Sequence, residues 1–176
     1  MNKMLTLSLA ALMLTAALAG CSNGGGTKPQ ESETPKTAEE IAAGYKTAIE
    51  AARDQEMNEA VPVITSADDD MADMILPMLG ITDENTTAFA VAVSAMNVKA
   101  YGIAAIMPAE GKVDEVKEGV DAFVAQQKSN FEFYLADQYD VANAAKVETL
   151  DDGTVLLVMS EGQDKIFDSI KDALSK

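Results

Sequence analysis

The stretch Ser66-Ala67-Asp68-Asp69-Asp70-Met71-Ala72-Asp73 crowds four carboxylates together, and Asp83-Glu84-Asn85 supplies more oxygen donors shortly after it. Hard oxygen ligands of this kind suit a divalent cation such as Ca2+, so Asp68, Asp70, Asp73 and Asp83 are the candidate metal ligands. Neither stretch has the glycine and the distal glutamate of an EF-hand loop. A helix start explains the first as simply, since negative side chains favour the positive end of a helix dipole, and a solvated turn explains the second. Carboxylates could also serve a glycosidase, because hydrolysis by two of them needs no histidine. Yet the chain has no tryptophan and only 5% aromatic residues, few for the flat platforms on which sugar clefts are built. Histidine is absent altogether, which excludes Ser-His-Asp and Cys-His catalysis and the usual zinc sites. No G-x-G-x-x-G, P-loop or G-x-S-x-G pattern occurs. No cofactor is expected, and neither is an enzyme.

The single cysteine has a different chemistry. Asn2 and Lys3 form a short polar, positive start, and Leu5 to Ala19 form an apolar run broken only by Thr6, Ser8 and Thr15. The run is short of the ~20 apolar residues that span a bilayer, and it fits a secretory signal. Leu18-Ala19-Gly20-Cys21 resembles the bacterial lipobox, in which the cysteine sulfur takes a diacylglyceryl group and cleavage falls between Gly20 and Cys21. Lipid attachment also accounts for one cysteine in an oxidising compartment, where an exposed free thiol is a liability. Two acyl chains hold a protein stably on a membrane, at ~0.8 kcal/mol per buried methylene. The expected partner of Cys21 is therefore the membrane, and the expected location is its extracytoplasmic face.

Residues 1–20 are then signal, 21–36 the lipidated cysteine and a tether, and 37–176 one domain. The tether has no large apolar residue between Ser22 and Pro35 and cannot bury a core; ~15 such residues reach on the order of 20 Å. The whole chain carries 13 basic and 29 acidic residues; with Lys3 removed the balance is 12 − 29 = −17. That charge opposes nucleic acid and anionic lipid alike.

Within the domain, Thr37-Ala38-Glu39-Glu40 is a capping box. Ile41, Tyr45, Ala48, Ile49 and Ala52 follow at helical spacing, for a helix to about Asp54. Met71, Met74, Ile75, Met78 and Leu79 predict a short helix with Pro77 in its last turn and Gly80 at its end. Thr87 to Met96 and Val98 to Met107 predict a hairpin turning near Asn97. Val113, Val116, Val120, Phe123 and Val124 predict a long helix to about Lys128. A short turn or helix follows, then a second hairpin around Asp151-Asp152-Gly153 and a helix over 164–174. "IAAIMPAEG" before one helix and "VLLVMSEG" before another share a plan. Two ββα units follow from it: an α+β fold with a four-stranded, largely antiparallel sheet and helices packed mainly on one face. On that arrangement Leu157 faces the helices and Leu156 the more open face. Tyr134 and Tyr139 flank the break after the long helix and are candidate ligand contacts; a ring closing the end of the core is the plainer account of each.

Met96-Asn97-Val98-Lys99-Ala100, the Ile-Ala-Ala-Ile strand, "GKVDEVKEGVDAFVAQQ", Tyr134-Leu135-Ala136-Asp137-Gln138-Tyr139 and "GTVLLVMSEGQDKIFDSIKDAL" together resemble the DUF4358 family of Clostridia-type bacterial lipoproteins. The similarity runs from about residue 70 to 174 and is a whole-domain pattern, so it brings no functional residues with it. It implies a monoderm, Gram-positive host and an extracytoplasmic, membrane-anchored position. The expectation is a non-enzymatic binding or scaffold protein of the cell envelope, with a Ca2+-binding protein or a carboxylate-dependent glycosidase as the alternatives.

Overall fold

The computed structural model describes residues 36–96 and 98–175. The expected signal, Gly20, Cys21 and nearly all of the tether lie outside the described residues. Thr37 opens helix α1 (Ala38–Ala52) as the capping box requires. Its backbone N–H donates to Glu40 Oε2 at 2.8 Å, and its hydroxyl accepts from the Glu40 N–H at 3.2 Å. Ala42, Tyr45, Ala48 and Ile49 form the buried face. Asp54 then caps a six-residue helix, α2 (Gln55–Ala60), by accepting the Met57 N–H at 2.8 Å.

Helix α3 (Ala72–Met78) carries Pro77 in its last turn as expected, and Gly80 leaves it at φ +67°. Its buried face keeps Ile75 and Leu79 of the predicted stripe but not the three methionines. Ala72, Ile75, Leu76 and Leu79 are buried, whereas Met71, Met74 and Met78 are exposed. Both sets have helical spacing, and the smaller, more compact side chains take the side that packs.

Strands β1 (Thr86–Val93) and β2 (Gly102–Pro108) pair antiparallel, joined by a longer connection than a turn at Asn97. Helices α4 (Val113–Phe131) and α5 (Ala136–Asn143) follow. Strands β3 (Lys146–Thr149) and β4 (Val155–Met159) form the second hairpin, and helix α6 (Gln163–Leu174) closes the chain. The sheet order is β1-β2-β4-β3, with β2 and β4 antiparallel at the centre. The fold is α+β with a four-stranded antiparallel sheet, as expected.

Helices cover both faces of that sheet, which corrects the expectation of one. Val91, Ala104, Ile106, Val155, Leu157 and Met159 point into a core shared with α3, α4 and α5. Ala90, Ala92, Ile103, Ala105, Leu156 and Val158 point into a second core with α1 and α6. The two ββα units are not equivalent in what their strands face. Ile103 and Val155, which correspond in the repeat, lie in opposite cores. Pro108-Ala109-Glu110-Gly111 is one residue longer than Ser160-Glu161-Gly162. Helices α4 and α6 dock on opposite sides although the order of elements repeats.

The second core holds a buried polar pair. Tyr45 Oη and Thr154 Oγ1 share a 2.6 Å hydrogen bond, and burial pushes the Tyr45 pKa up to about 12. In the unfolded chain the phenol titrates near 10. Between these values the unfolded state has lost a proton that the native state keeps, so stability falls as pH rises. About 2 to 3 kcal/mol is expected to disappear from pH 10 upward on this account. Urea midpoints measured across that range should fall less steeply in Tyr45→Phe.

Candidate functional site

The β2–β4 register pairs Gly102 with Met159, so Tyr101, just before one strand, and Ser160, just after the other, meet at the same end of the sheet. Only Glu161 and Gly162 separate Ser160 from the start of helix α6, which brings the amino end of that helix to the same place. The chain leaving α1 adds Arg53 and Asp54 there, α2 adds Met57, and the β1–β2 connection adds Lys99. Together they wall a cleft of about 620 Å3, with Glu161, Gly162, Lys165, Ile166 and Ser169 on its α6 side.

Arg53 anchors this cleft and is only 9% exposed. Its Nη1 donates to the Val61 carbonyl at 3.0 Å and to Tyr101 Oη at 3.1 Å. Burial raises the Tyr101 pKa, while the Arg53 hydrogen bond and charge act in the opposite direction. Arg53 Nε and Nη2 have no hydrogen-bond partner among the described residues, and neither has Ser160 Oγ, on a residue 2% exposed. Such orphaned groups are costly, because burial removes water without replacing its hydrogen bonds. Lys99 lies half-buried with Nζ 3.9 Å from Met57 Sδ. Among the described residues neither Lys99 nor Lys165 forms an ion pair. Gly162 precedes α6 and offers its first turn no side-chain cap. Asp54 and Glu161 are the carboxylates of the cleft; both are exposed, and Asp54 Oδ1 is engaged in capping α2. A second hollow of about 380 Å3 lies between α1 and β1, and none of its residues carries an orphaned buried side-chain atom.

The residues singled out in the sequence lie elsewhere. Asp68, Asp70, Asp73 and Asp83 are exposed. Asp69 Oδ2 accepts the Thr65 and Ser66 N–H groups at 2.7 and 3.1 Å, which makes the acidic run a local turn. Asn85 is 2% exposed and ties its loop to Gly80 and Glu115. Among the described residues no group of three or more acidic side chains is placed to hold a metal ion. Tyr134 is 70% exposed, and Tyr139 packs half-buried against the first core; neither lines the cleft.

The profile of the DUF4358 family, described as a domain of unknown function, matches residues 63–160, more than half of the chain. The chain belongs to the DUF4358 family. No curated protein and no solved structure matches it. The matched span starts earlier than the similarity read from the sequence and ends before α6. Lys99, Tyr101 and Ser160 fall inside the DUF4358 span, and Arg53, Asp54, Met57 and Lys165 outside it. The cleft is thus assembled where the DUF4358 sheet meets the helices that flank its span on either side.

No helix among the described residues is long and apolar enough to cross a membrane. Arg53 was not among the candidates that sequence reasoning produced. The signal for it is compositional: it is the one arginine of the chain, beside twelve lysines.

Proposed function

We propose that this chain is a lipid-anchored, extracytoplasmic binding protein with no catalytic activity of its own. In this account Cys21 is acylated at the cell membrane, and the domain captures a small molecule in the Arg53 cleft. One observation carries the reading: Arg53 and Ser160, whose buried side-chain atoms have no hydrogen-bond partner among the described residues, line the same walled cleft. Pockets that combine apolar walls with a few convergent polar groups are the usual form of small-molecule sites. Apolar parts of Ala52, Met57 and Ile166 supply wall here, and Arg53, Tyr101 and Ser160 supply polarity. The lipobox-like Leu18-Ala19-Gly20-Cys21 and the tether support the location, since they would hold a strongly acidic domain on a surface it has no charge affinity for.

Cell fractionation tests the anchor. Wild-type chain is expected in the membrane fraction at a mass that begins at Cys21 and carries lipid. Cys21→Ala is expected in the medium or as the full-length precursor. Membrane retention of Cys21→Ala at the wild type's processed length would overturn the assignment.

A further inference from the structure

We infer that the cleft takes a small oxyanion, a phosphate or carboxylate group, on the unused edge of Arg53. This inference rests on the binding role proposed above and adds the class of ligand. A guanidinium is planar, and its five N–H bonds point in fixed directions. Nη1 is held by Val61 and Tyr101. The two nitrogens left without partners, Nε and Nη2, are the pair that shares one side of the plane. Their N–H bonds run nearly parallel, the geometry that grips two oxygens of a carboxylate or phosphate at once. An arginine whose free donors were scattered would carry no such preference.

Three further features agree in sign. Ser160, 2% exposed, lines the same cleft with a hydroxyl that has no partner among the described residues. The twelve-residue helix α6 begins there with no side-chain cap, and the one carboxylate of its first turn, Asp164, is paired with Lys146, so the positive end of the helix dipole favours an anion. Lys99 and Lys165 line the cleft without ion pairs among the described residues, in a chain of net charge −16. Acidic residues are abundant, yet no carboxylate takes the free edge of Arg53. Asp54 and Glu161 stand exposed in the cleft wall and would disfavour a second negative group on the ligand, which limits its size and charge. Nε, Nη2 and Ser160 Oγ have almost no accessible surface. An entering anion therefore reaches them through a side-chain shift in the cleft wall and ends shielded from water, where charge-assisted hydrogen bonds are strongest.

Because Arg53 is the one arginine, the full chain labelled with 15N gives a single arginine Nε–Hε signal that needs no assignment. It can be followed in mild detergent while inorganic phosphate, acetate or succinate is added, with sodium chloride at matched ionic strength as control. The expected result is a saturable shift of that signal, together with the amides of Ser160, Gly162 and Gln163, for phosphate or for the carboxylates and not for chloride. Whichever arm gives the lower Kd identifies the oxyanion. Arg53→Lys keeps the charge but loses the two-point grip, and is expected to weaken binding about 10- to 100-fold, as for hydrogen bonds to charged groups. Lys165→Gln alters an exposed side chain, leaves folding intact, and is expected to weaken it about two- to fivefold. No shift with any anion, when neutral fragments such as glycerol or glucose do move the cleft amides, overturns the oxyanion and leaves the binding role standing. No shift with anions or neutral fragments overturns both. Shifts with phosphate that are unchanged in Arg53→Lys and Lys165→Gln place the anion elsewhere and also overturn the inference.

Discussion

Leu156→Ala and Leu157→Ala are each expected to cost about 2 to 5 kcal/mol, with neither markedly milder than the other. The two leucines are neighbours on β4 and point to opposite faces. Leu157 enters the core under α3, α4 and α5, and Leu156 the core under α1 and α6. All five β4 side chains are fully buried, as in a central strand covered on both sides. Truncation at either position loses transfer free energy and leaves a cavity in a close-packed layer. Each loss is a large share of the ~5 to 15 kcal/mol that holds a domain of this size. Urea unfolding of the full chain followed by circular dichroism measures both. A mild effect at Leu156 beside a severe one at Leu157 would mean that α1 and α6 do not cover their face.

Gly119→Ala is expected to destabilise by about 3 kcal/mol, the upper part of the overpacking range. Gly119 lies in α4, where that helix crosses the end of α3. A Cβ at this position would stand 2.5 Å from the Leu79 carbonyl oxygen and 3.1 Å from Gly80 Cα. Both obstacles are backbone, so no side-chain rotation relieves the clash, and the helices would have to separate. Gly44→Ala gives the opposite sign. A Cβ there meets nothing within 4 Å, the residue is exposed in the middle of α1, and alanine is the better helix former by about 0.5 to 1 kcal/mol. Thermal unfolding of the two variants should therefore move in opposite directions from the wild type.

Much of this architecture is written locally. Thr37 and Glu40 mark the start of α1 because a cap is a contact between residues three apart. Asp151-Asp152-Gly153 marks the second hairpin because its turn chemistry is local too. Which face a helix covers is not local. "IAAIM" and "VLLVM" are apolar at every position, so alternation carries no sign of an open side, and α4 and α6 dock on opposite faces. Met71, Met74 and Met78 mislead for a related reason: they keep helical spacing beside Ala72, Ile75 and Leu76, and only packing against the sheet selects between the two stripes. Helix α2 is too short to display a stripe at all.

The cleft was illegible for a further reason. Its groups come from three places distant in sequence, at Arg53, Lys99–Tyr101 and Ser160–Lys165, and are brought together by the antiparallel register of β2 and β4. The acidic runs and the two tyrosines stand out because they are clustered or conspicuous in sequence. In the fold Asp69 closes a turn and Tyr139 packs on the core. A lone arginine at the end of a helix reads as an ordinary surface cation; its burial against Tyr101 and Val61 gives it a different meaning.

Native mass spectrometry of the chain, released from its own membranes in mild detergent, tests most directly the claim that this is an anchored binding protein built around Arg53. The account predicts a polypeptide that begins at Cys21, carries a diacylglyceryl group and holds a small anionic adduct that is lost in Arg53→Lys. A polypeptide that retains residues 1–20, or a processed one with no adduct in wild type and variant alike, would contradict it.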